Sequence, residues 1–316
     1  MYIDIEEAIF HLSHSQPVAI PTETVWGLAA RMEDEEGVNE IFRLKKRPPK
    51  NPLIIHIHDI SLIKAYASVI PEDLEALSHN FWPGGLTLAI PIIQEKVPAQ
   101  VRANLPTAAF RMPDHATTLS LLERVGPLVA PSANLSGKPS ATTPQHIEDD
   151  FGNSFPILYS PHQPCSAGIE STILIWKNGL WHCGRPGAVS LLDIAKVLGY
   201  LPLSISADRE APLCPGQLYR HYAPKAHLTL HTTLWEKELS SCFDGVLGFT
   251  DRVYEGAPHL VTMGSSYDMQ SIAMRLYAAL RELDDLQLSS VFVDMNIPST
   301  PEWAPIHDRL FKASST

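Results

Sequence analysis

Six short segments of the chain draw on the same few residue types: small hydroxyl residues, glycine or proline, and a charged side chain. They are residues 21–28, 45–52, 106–113, 131–137, 168–172 and 184–187. Hydroxyl groups and exposed backbone amides bind anions, and prolines keep such segments rigid. Lys45, Arg47 and Arg185 could neutralise a polyphosphate, whereas the planar guanidinium of Arg111 suits a carboxylate. The combination predicts a site for small anionic molecules.

Each of these features also has a plainer interpretation. The basic run at residues 45–50 is the pattern of a solvated helix end, and Arg111 could pair with an interior acid. His56 and His58 alternate on a predicted strand, but no third ligand at metal-site spacing accompanies them, which favours packed histidines. The chain has neither a Walker motif around Lys138 nor a G-x-G-x-x-G loop, so a common kinase or dinucleotide enzyme is disfavoured.

The elements that must position these segments alternate between short apolar runs and helix-period stretches, which predicts an α/β fold. A helix is expected through Val38, Ile41, Phe42 and Lys45, ending before Pro48 and Pro49. A second helix is expected over residues 191–198. Strands are predicted at residues 17–21, 53–58, 86–90, 108–112, 128–130, 171–176 and 180–183, the last two joined as a hairpin.

The length of 316 residues suits two domains. Residues 201–226 contain spaced prolines and no hydrophobic period, which predicts a long linker between a catalytic domain over residues 1–200 and a smaller α/β domain over residues 227–316. Strands at 227–230, 246–249 and 291–294, with a helical stripe from Ile272 to Leu283, are expected in the smaller domain.

Composition narrows the class of function. The chain is 45% hydrophobic and 19% charged, with a net charge of −11. Stable RNA binding depends on contacts between basic side chains and phosphates, and this net negative charge disfavours it. No apolar run approaches the ~18 residues needed to span a membrane, and the start lacks a signal-peptide pattern. The four cysteines are far apart, as expected of incidental thiols in a reducing compartment. We therefore expect a soluble, cytoplasmic protein that does not bind membranes.

Taken in order, the motifs resemble the YrdC/YciO family in its long form, which carries an extra C-terminal domain. The resemblance covers the front domain and the linker. It is carried by residues 21–28, 45–52 with His56, 82–88, 111–113, 130–137, 169–172, 185–187 and 215–224. The family implies a twisted mixed sheet with helices, joined by a long linker to a smaller Rossmann-like α/β domain.

The resemblance also implies a reaction, in which L-threonine, bicarbonate and ATP give L-threonylcarbamoyladenylate and pyrophosphate. Other proteins then transfer the threonylcarbamoyl group to the adenosine next to the anticodon of ANN-decoding tRNAs. By the same resemblance, the ATP site comprises Arg47, Asn51, Thr107, Ser132, Ser140, Arg185 and Tyr222. The threonine site comprises Thr22, Thr24, His56, Arg111, Ala130 and Ser171.

Catalysis is assigned to four of the basic residues, namely Lys45, Arg47, His56 and Arg111. Mg²⁺ is expected on the ATP phosphates, with no metal ligand from protein side chains. Residues 217–222 are expected to fold over the cavity as a lid that brings Tyr222 to the nucleotide. The lid hypothesis predicts that truncation after residue 200 impairs turnover far more than folding.

The sequence departs from the family pattern at a few positions. Trp26 stands where the family has Tyr, Cys214 replaces Ser, and Gly184 replaces an aliphatic residue. None of these changes removes a charged ligand.

Two alternatives come from other classes of protein. One is an RNA-binding module that uses the basic run at residues 45–50, and it predicts salt-sensitive tRNA binding without substrates. The other is an acyl-adenylate enzyme that acts on carbamoyl phosphate, as in hydrogenase maturation, and it predicts AMP formation with that substrate.

Overall fold

A computed structural model describes residues 1–160, 165–205, 214 and 221–315. The strands are β1 (Tyr2–Ile3), β2 (Val18–Ile20), β3 (Gly27–Arg31), β4 (Ile54–His56), β5 (Leu86–Pro91), β6 (Thr107–Arg111), β7 (Leu128–Val129), β8 (Ile157–Leu158), β9 (Thr172–Lys177), β10 (Leu180–Arg185), β11 (His227–His231), β12 (Gly245–Gly248), β13 (Leu260–Thr262) and β14 (Ser290–Asp294). The helices are α1 (Ile5–Ser13), α2 (Glu35–Lys45), α3 (Ser61–Tyr66), α4 (Leu74–Phe81), α5 (Ala116–Val125), α6 (Pro144–Phe151), α7 (Leu191–Leu198), α8 (Met269–Asp285) and α9 (Ala304–Ser314).

The first sheet has ten strands in the order β1-β8-β2-β3-β7-β4-β6-β5-β9-β10 and mixes parallel and antiparallel pairs. In its middle, β4 runs parallel to β6, and this register places His56 opposite Arg111. At one edge, β9 and β10 form the predicted hairpin, which brings Arg185 beside Ile173 and therefore near Ser171. The sheet thus gathers residues from distant segments of the chain.

Helix α2 shows why the basic run lies where it does. Asp34 caps its N-terminus by accepting from the backbone of Gly37, and Glu35 and Glu36 follow in the first turn. The helix ends at Lys45, and Lys46 adopts a left-handed conformation with φ 51°. Lys45 is buried while Lys46 and Lys50 are exposed, so only part of the run is the solvated helix end of the plainer interpretation.

The second sheet has four strands in the order β11-β14-β12-β13, and all its pairs are parallel. Helix α8 connects β13 to β14, as parallel strands require a crossover. The predicted small α/β unit, including its helical stripe, is therefore confirmed.

Helices α8 and α9 pack against loops of the first sheet. Arg281 of α8 donates to the carbonyl of Pro139 (2.7 Å) and to Asp150 (2.8 Å). Gly168, at φ +69°, lies so close to α8 that a Cβ there would sit 2.2 Å from Cα of Met274.

No helix in the described part of the chain is both long and apolar enough to cross a bilayer.

Candidate active site

A cleft opens where the ends of several first-sheet strands meet the linker residues His221 and Tyr222. Nine of the residues predicted for the site line it: Thr24, Arg47, His56, Arg111, Ala130, Ser132, Ser171, Arg185 and Tyr222. Loops separated by up to 198 positions in sequence therefore line one cavity.

Two guanidinium groups face this cleft without an acidic partner among the described residues. Arg47 donates to the carbonyls of Asn51 (3.3 Å) and Pro52 (2.8 Å), and Arg185 donates to the carbonyl of Ser171 (3.0 Å). Burial and, to a smaller extent, the positive charge of Arg185 together lower the pKa of Arg47 to about 9. Two neighbouring cations whose partners are neutral groups suit the binding of a polyanion.

Lys45 lies beneath the cleft rather than in its lining. Its Nζ donates to the carbonyls of Ser132 (2.5 Å) and Asn134 (2.6 Å), and the side chain is fully buried. Burial holds the pKa of Lys45 well below its usual value, and the charge of Arg47 lowers it further. These contacts support the loop that carries Ser132 and favour a positioning role over direct contact with phosphate.

Arg111 is both paired with an interior acid and part of the cleft lining, so its two interpretations hold together. Nη2 donates to Oε1 of Glu23 at 2.7 Å, and Nε donates to the carbonyl of Gly84 at 3.2 Å. Glu23 lies in the predicted segment 21–28, but its pairing with Arg111 was not predicted. The signal available was the presence of one acid in an otherwise neutral loop.

His56 lies next to Arg111 in the sheet register and is neutral at physiological pH. Burial lowers its pKa to about 3, and the charge of Arg111 acts in the same direction. Nδ1 lies 3.3 Å from the carbonyl of Ile54, which can only accept, so Nδ1 carries the hydrogen and Nε2 is the acceptor.

Each hydroxyl residue of the predicted threonine site is hydrogen-bonded to another hydroxyl group. Thr22 Oγ1 lies 2.9 Å from Thr24 Oγ1 and donates to the carbonyl of Val25 at 2.7 Å. Ser171 Oγ lies 2.7 Å from Thr87 Oγ1 and 3.3 Å from Nη2 of Arg185. Thr22 is buried behind Thr24 and does not line the cleft.

Three residues predicted for the ATP site lie outside the cleft lining. Asn51 is buried, and its Oδ1 has no hydrogen-bond partner among the described residues. Thr107 starts β6, four residues before Arg111, which separates the two by about 13 Å along an extended strand. Ser140 is fully buried and donates to Oε1 of Glu170 at 2.6 Å.

Glu170 lines the cleft and was not predicted. Burial would raise its pKa, but the charges of Arg309 and Arg185 and hydrogen bonds from Ser140 and Tyr277 lower it to about 2. It is therefore an ionised, buried carboxylate at the edge of a cationic site. A sequence signal existed in the Gly-Ile-Glu-Ser-Thr segment, but two of its partners, Tyr277 and Arg309, lie more than 100 residues away.

Tyr222 lines the cleft from the linker, with φ 62° and an almost fully buried ring. Burial raises its pKa to about 12, and the negative charge of Glu170 contributes. Residues 217–220 of the predicted lid lie outside the described residues, so the lid stays a prediction.

Two of the departures from the family pattern touch each other. A Cβ on Gly184 would lie 2.9 Å from Sγ of Cys214 and 2.7 Å from Cδ1 of Ile175. The missing side chain at position 184 therefore leaves room for the linker residue Cys214. Trp26, the third departure, is buried in the core and absent from the cleft lining.

Comparisons with known proteins agree with this architecture. A family model named for Sua5, YciO and YrdC and described as telomere recombination matches residues 11–187. A second model, described as the C-terminal domain of threonylcarbamoyl-AMP synthase, matches residues 189–315. The chain belongs to the Sua5/YciO/YrdC family, in the form that carries this C-terminal domain.

Individual relatives extend over nearly the whole chain. Threonylcarbamoyl-AMP synthase of Bacillus subtilis is 35% identical over 98% of this chain and 92% of the relative. The enzyme of that name from Pyrococcus abyssi is 37% identical over 84% of this chain and 81% of its own length. The crystal structure of P. abyssi Sua5 complexed with L-threonine superposes with a TM-score of 0.88 at 33% identity, covering 99% of this chain and 97% of that one.

Proposed function

We propose that this chain is a threonylcarbamoyl-AMP synthase, which joins L-threonine, bicarbonate and ATP into L-threonylcarbamoyladenylate and releases pyrophosphate. The observation that carries the proposal is the pair of guanidinium groups, Arg47 and Arg185, that face one cleft without an acidic partner among the described residues. Arg111 and His56 line the same cleft, so a triphosphate and an amino acid can bind side by side.

The chemistry requires two bond-forming steps. The amine of threonine forms a bond to the carbon of bicarbonate with loss of water, which gives a carbamate. A carbamate oxygen then forms a bond to the α-phosphorus of ATP while the bond to the β-phosphate oxygen breaks and pyrophosphate leaves. Neither step needs a covalent protein intermediate, so the cleft residues act by orienting the substrates, stabilising charge and excluding water.

At the threonine end, Arg111 offers its guanidinium to the carboxylate while Glu23 fixes the orientation of that guanidinium. His56 is neutral, so its Nε2 can accept a hydrogen from the ammonium or hydroxyl group of threonine. Thr24, Ala130 and Ser171 complete this end of the cleft.

At the ATP end, Arg47 and Arg185 neutralise the triphosphate, and Ser132 and Tyr222 line the remaining wall. Mg²⁺ supplies additional charge neutralisation on the phosphates. Glu170 in the cleft lining and Glu23 at the threonine end are each paired with an arginine, which fits an ion that phosphate oxygens and water would hold rather than the protein.

The product is a mixed anhydride that a downstream tRNA threonylcarbamoyl transfer system would consume. The net charge of −11 supports a division of labour in which this chain makes the small molecule and does not hold the tRNA.

The test is pyrophosphate release from Mg-ATP, with L-threonine and bicarbonate each omitted in turn. We expect release only when both are present. Release that is independent of threonine, or AMP formation with carbamoyl phosphate in place of threonine and bicarbonate, would contradict the proposal. Tight, salt-sensitive tRNA binding without turnover would favour the RNA-binding alternative.

A further inference from the structure

Glu170 is a first-domain residue whose carboxylate is held mainly by the second domain. Its Oε1 accepts from Ser140 Oγ at 2.6 Å. Its Oε2 accepts from the hydroxyl of Tyr277 in α8 at 2.6 Å and from Nε of Arg309 in α9 at 2.9 Å. Two helices of the second domain therefore reach a residue that lines the cleft.

Arg309 and Tyr277 also hold the ring of Tyr222. The Tyr222 and Tyr277 ring centroids are 5.3 Å apart at an interplanar angle of 31°, and Cζ of Arg309 lies 5.2 Å from the Tyr222 centroid. Arg309 is fully buried, and its Nη1 donates to the carbonyl of Pro186 at 2.9 Å, next to Arg185. Arg309 and Tyr277 thus contact two residues of the cleft lining, Glu170 and Tyr222, and Arg309 also contacts Pro186 beside Arg185.

The charges explain why this arrangement matters for the nucleotide. Glu170 is close enough to Arg185 for that charge to lower its pKa, yet Arg185 donates to Ser171 and forms no ion pair with Glu170. Arg309 is the cation that Glu170 contacts instead. Without Arg309, the buried carboxylate would lack its ion-pair partner, and Arg185 is the other arginine whose charge acts on it.

We propose that Arg309 and Tyr277 are positioning residues for ATP: they keep Glu170 away from Arg185, which leaves Arg185 available to the triphosphate, and they fix the ring of Tyr222. This inference rests on the proposed function. It assigns to the second domain a direct effect on nucleotide binding, exerted through named side chains and not through general stability.

The experiment compares Arg309→Met, the double variant Arg309→Met/Glu170→Gln, and the control Arg252→Met. The control removes a matched group, because Arg252 and the Tyr254 hydroxyl bond Asp294 at 2.8 Å each, within the second domain and away from the cleft. Steady-state rates of pyrophosphate release are measured with ATP varied, then with threonine varied, alongside thermal unfolding.

We expect Arg309→Met to raise the KM for ATP about tenfold while the KM for threonine changes less than about twofold. The KM for ATP of the double variant should be at least about threefold lower than that of Arg309→Met, because the uncompensated charge of the Glu170 carboxylate has been removed. Arg252→Met should lower the Tm and leave both KM values near wild type. If Arg309→Met does not fold, Tyr277→Phe removes one bond to Glu170 and should shift the KM for ATP in the same direction by a smaller factor.

The inference is overturned if Arg309→Met shifts both KM values equally, if the double variant is no better than Arg309→Met, or if Arg252→Met reproduces the ATP effect. Failure of the proposed function would be seen separately, as wild-type protein without threonine- and bicarbonate-dependent pyrophosphate release.

Discussion

Arg111 donates from Nη2 to Oε1 of Glu23 at 2.7 Å, and the two side chains are only 5% and 13% exposed. A buried ion pair of this kind contributes more to orientation than to stability, because desolvation offsets much of the attraction. Nε is also engaged, by the carbonyl of Gly84, so the guanidinium is held in one plane before any substrate binds. That preorganisation suits recognition of a carboxylate.

The first prediction concerns this guanidinium. Arg111→Lys keeps the charge but loses the planar fork, so we expect the KM for threonine to rise about tenfold or more while the KM for ATP changes little. Steady-state rates with each substrate varied measure the split. Arg124→Lys is the control, because Arg124 pairs with Glu6 on the surface, and it should behave as wild type. An Arg111→Lys protein with unchanged threonine dependence would remove Arg111 from the threonine site.

The second prediction concerns Arg47, which has no acidic partner among the described residues. Arg47→Met removes one of two neighbouring guanidinium groups, so we expect the KM for ATP to rise roughly 10–100-fold with little change for threonine. The control is Lys46→Met, one residue away but exposed, which should leave both values unchanged. Direct titration with ATP in the absence of threonine provides a second measurement, and equal affinity in wild type and Arg47→Met would contradict this role.

Much of the fold was predictable because the local signals agreed with the final structure. Helix α7 occupies its predicted residues, with Ser190 as N-cap and Gly199 in the left-handed conformation after its end. The β9–β10 hairpin turns at Asn178 and Gly179, both at positive φ, as the sequence indicated. The sequence analysis did not predict β1 and β8, which have two residues each, or the five-residue strand β3.

Nine of the fourteen residues predicted for the site line the cleft, whereas the contacts among them could not be predicted from the sequence. The loops that bring Arg47, Arg111 and Arg185 together each carry a local signature. Tyr277 and Arg309, which bond Glu170, carry no such local signature, because in the sequence they look like ordinary positions on two helices. Only tertiary packing determines which face of each helix meets the cleft. Thr107 shows the opposite case: it belongs to the same predicted segment as Arg111, residues 106–113, but the length of strand β6 separates the two side chains.

The third prediction concerns the contact between the two domains. Gly168→Ala places a Cβ 2.2 Å from Cα of Met274, so α8 or the loop must move, and we expect a loss of about 2–4 kcal/mol in the free energy of unfolding together with lower activity. Denaturant unfolding measures the first effect. Gly152→Ala is the matched control, because Gly152 has φ +90° with nothing within 4 Å of the added Cβ, so it carries only the backbone penalty. Equal losses in the two variants would show that Gly168 is not needed for close packing.

The fourth prediction concerns pH. The pKa of His56 is lowered to about 3 in the folded protein, against about 6.5 in an unfolded chain. Between those values the unfolded chain binds more protons than the folded protein, so the contribution of His56 to stability falls as the pH falls through this window. At pH 5 the contribution should be about 2 kcal/mol lower than at pH 7.5.

His56→Asn removes this titration, so its free energy of unfolding should change less between pH 7.5 and pH 5 than that of wild type, by about 2 kcal/mol. Urea unfolding at the two pH values measures the difference, and comparing each protein with itself cancels any general loss caused by the substitution. His79→Asn, at an exposed position, should retain the full wild-type pH dependence. If His56→Asn and wild type lost the same stability on acidification, the pKa of His56 in the folded protein would lie near its unfolded value, and burial would not be what keeps the ring neutral.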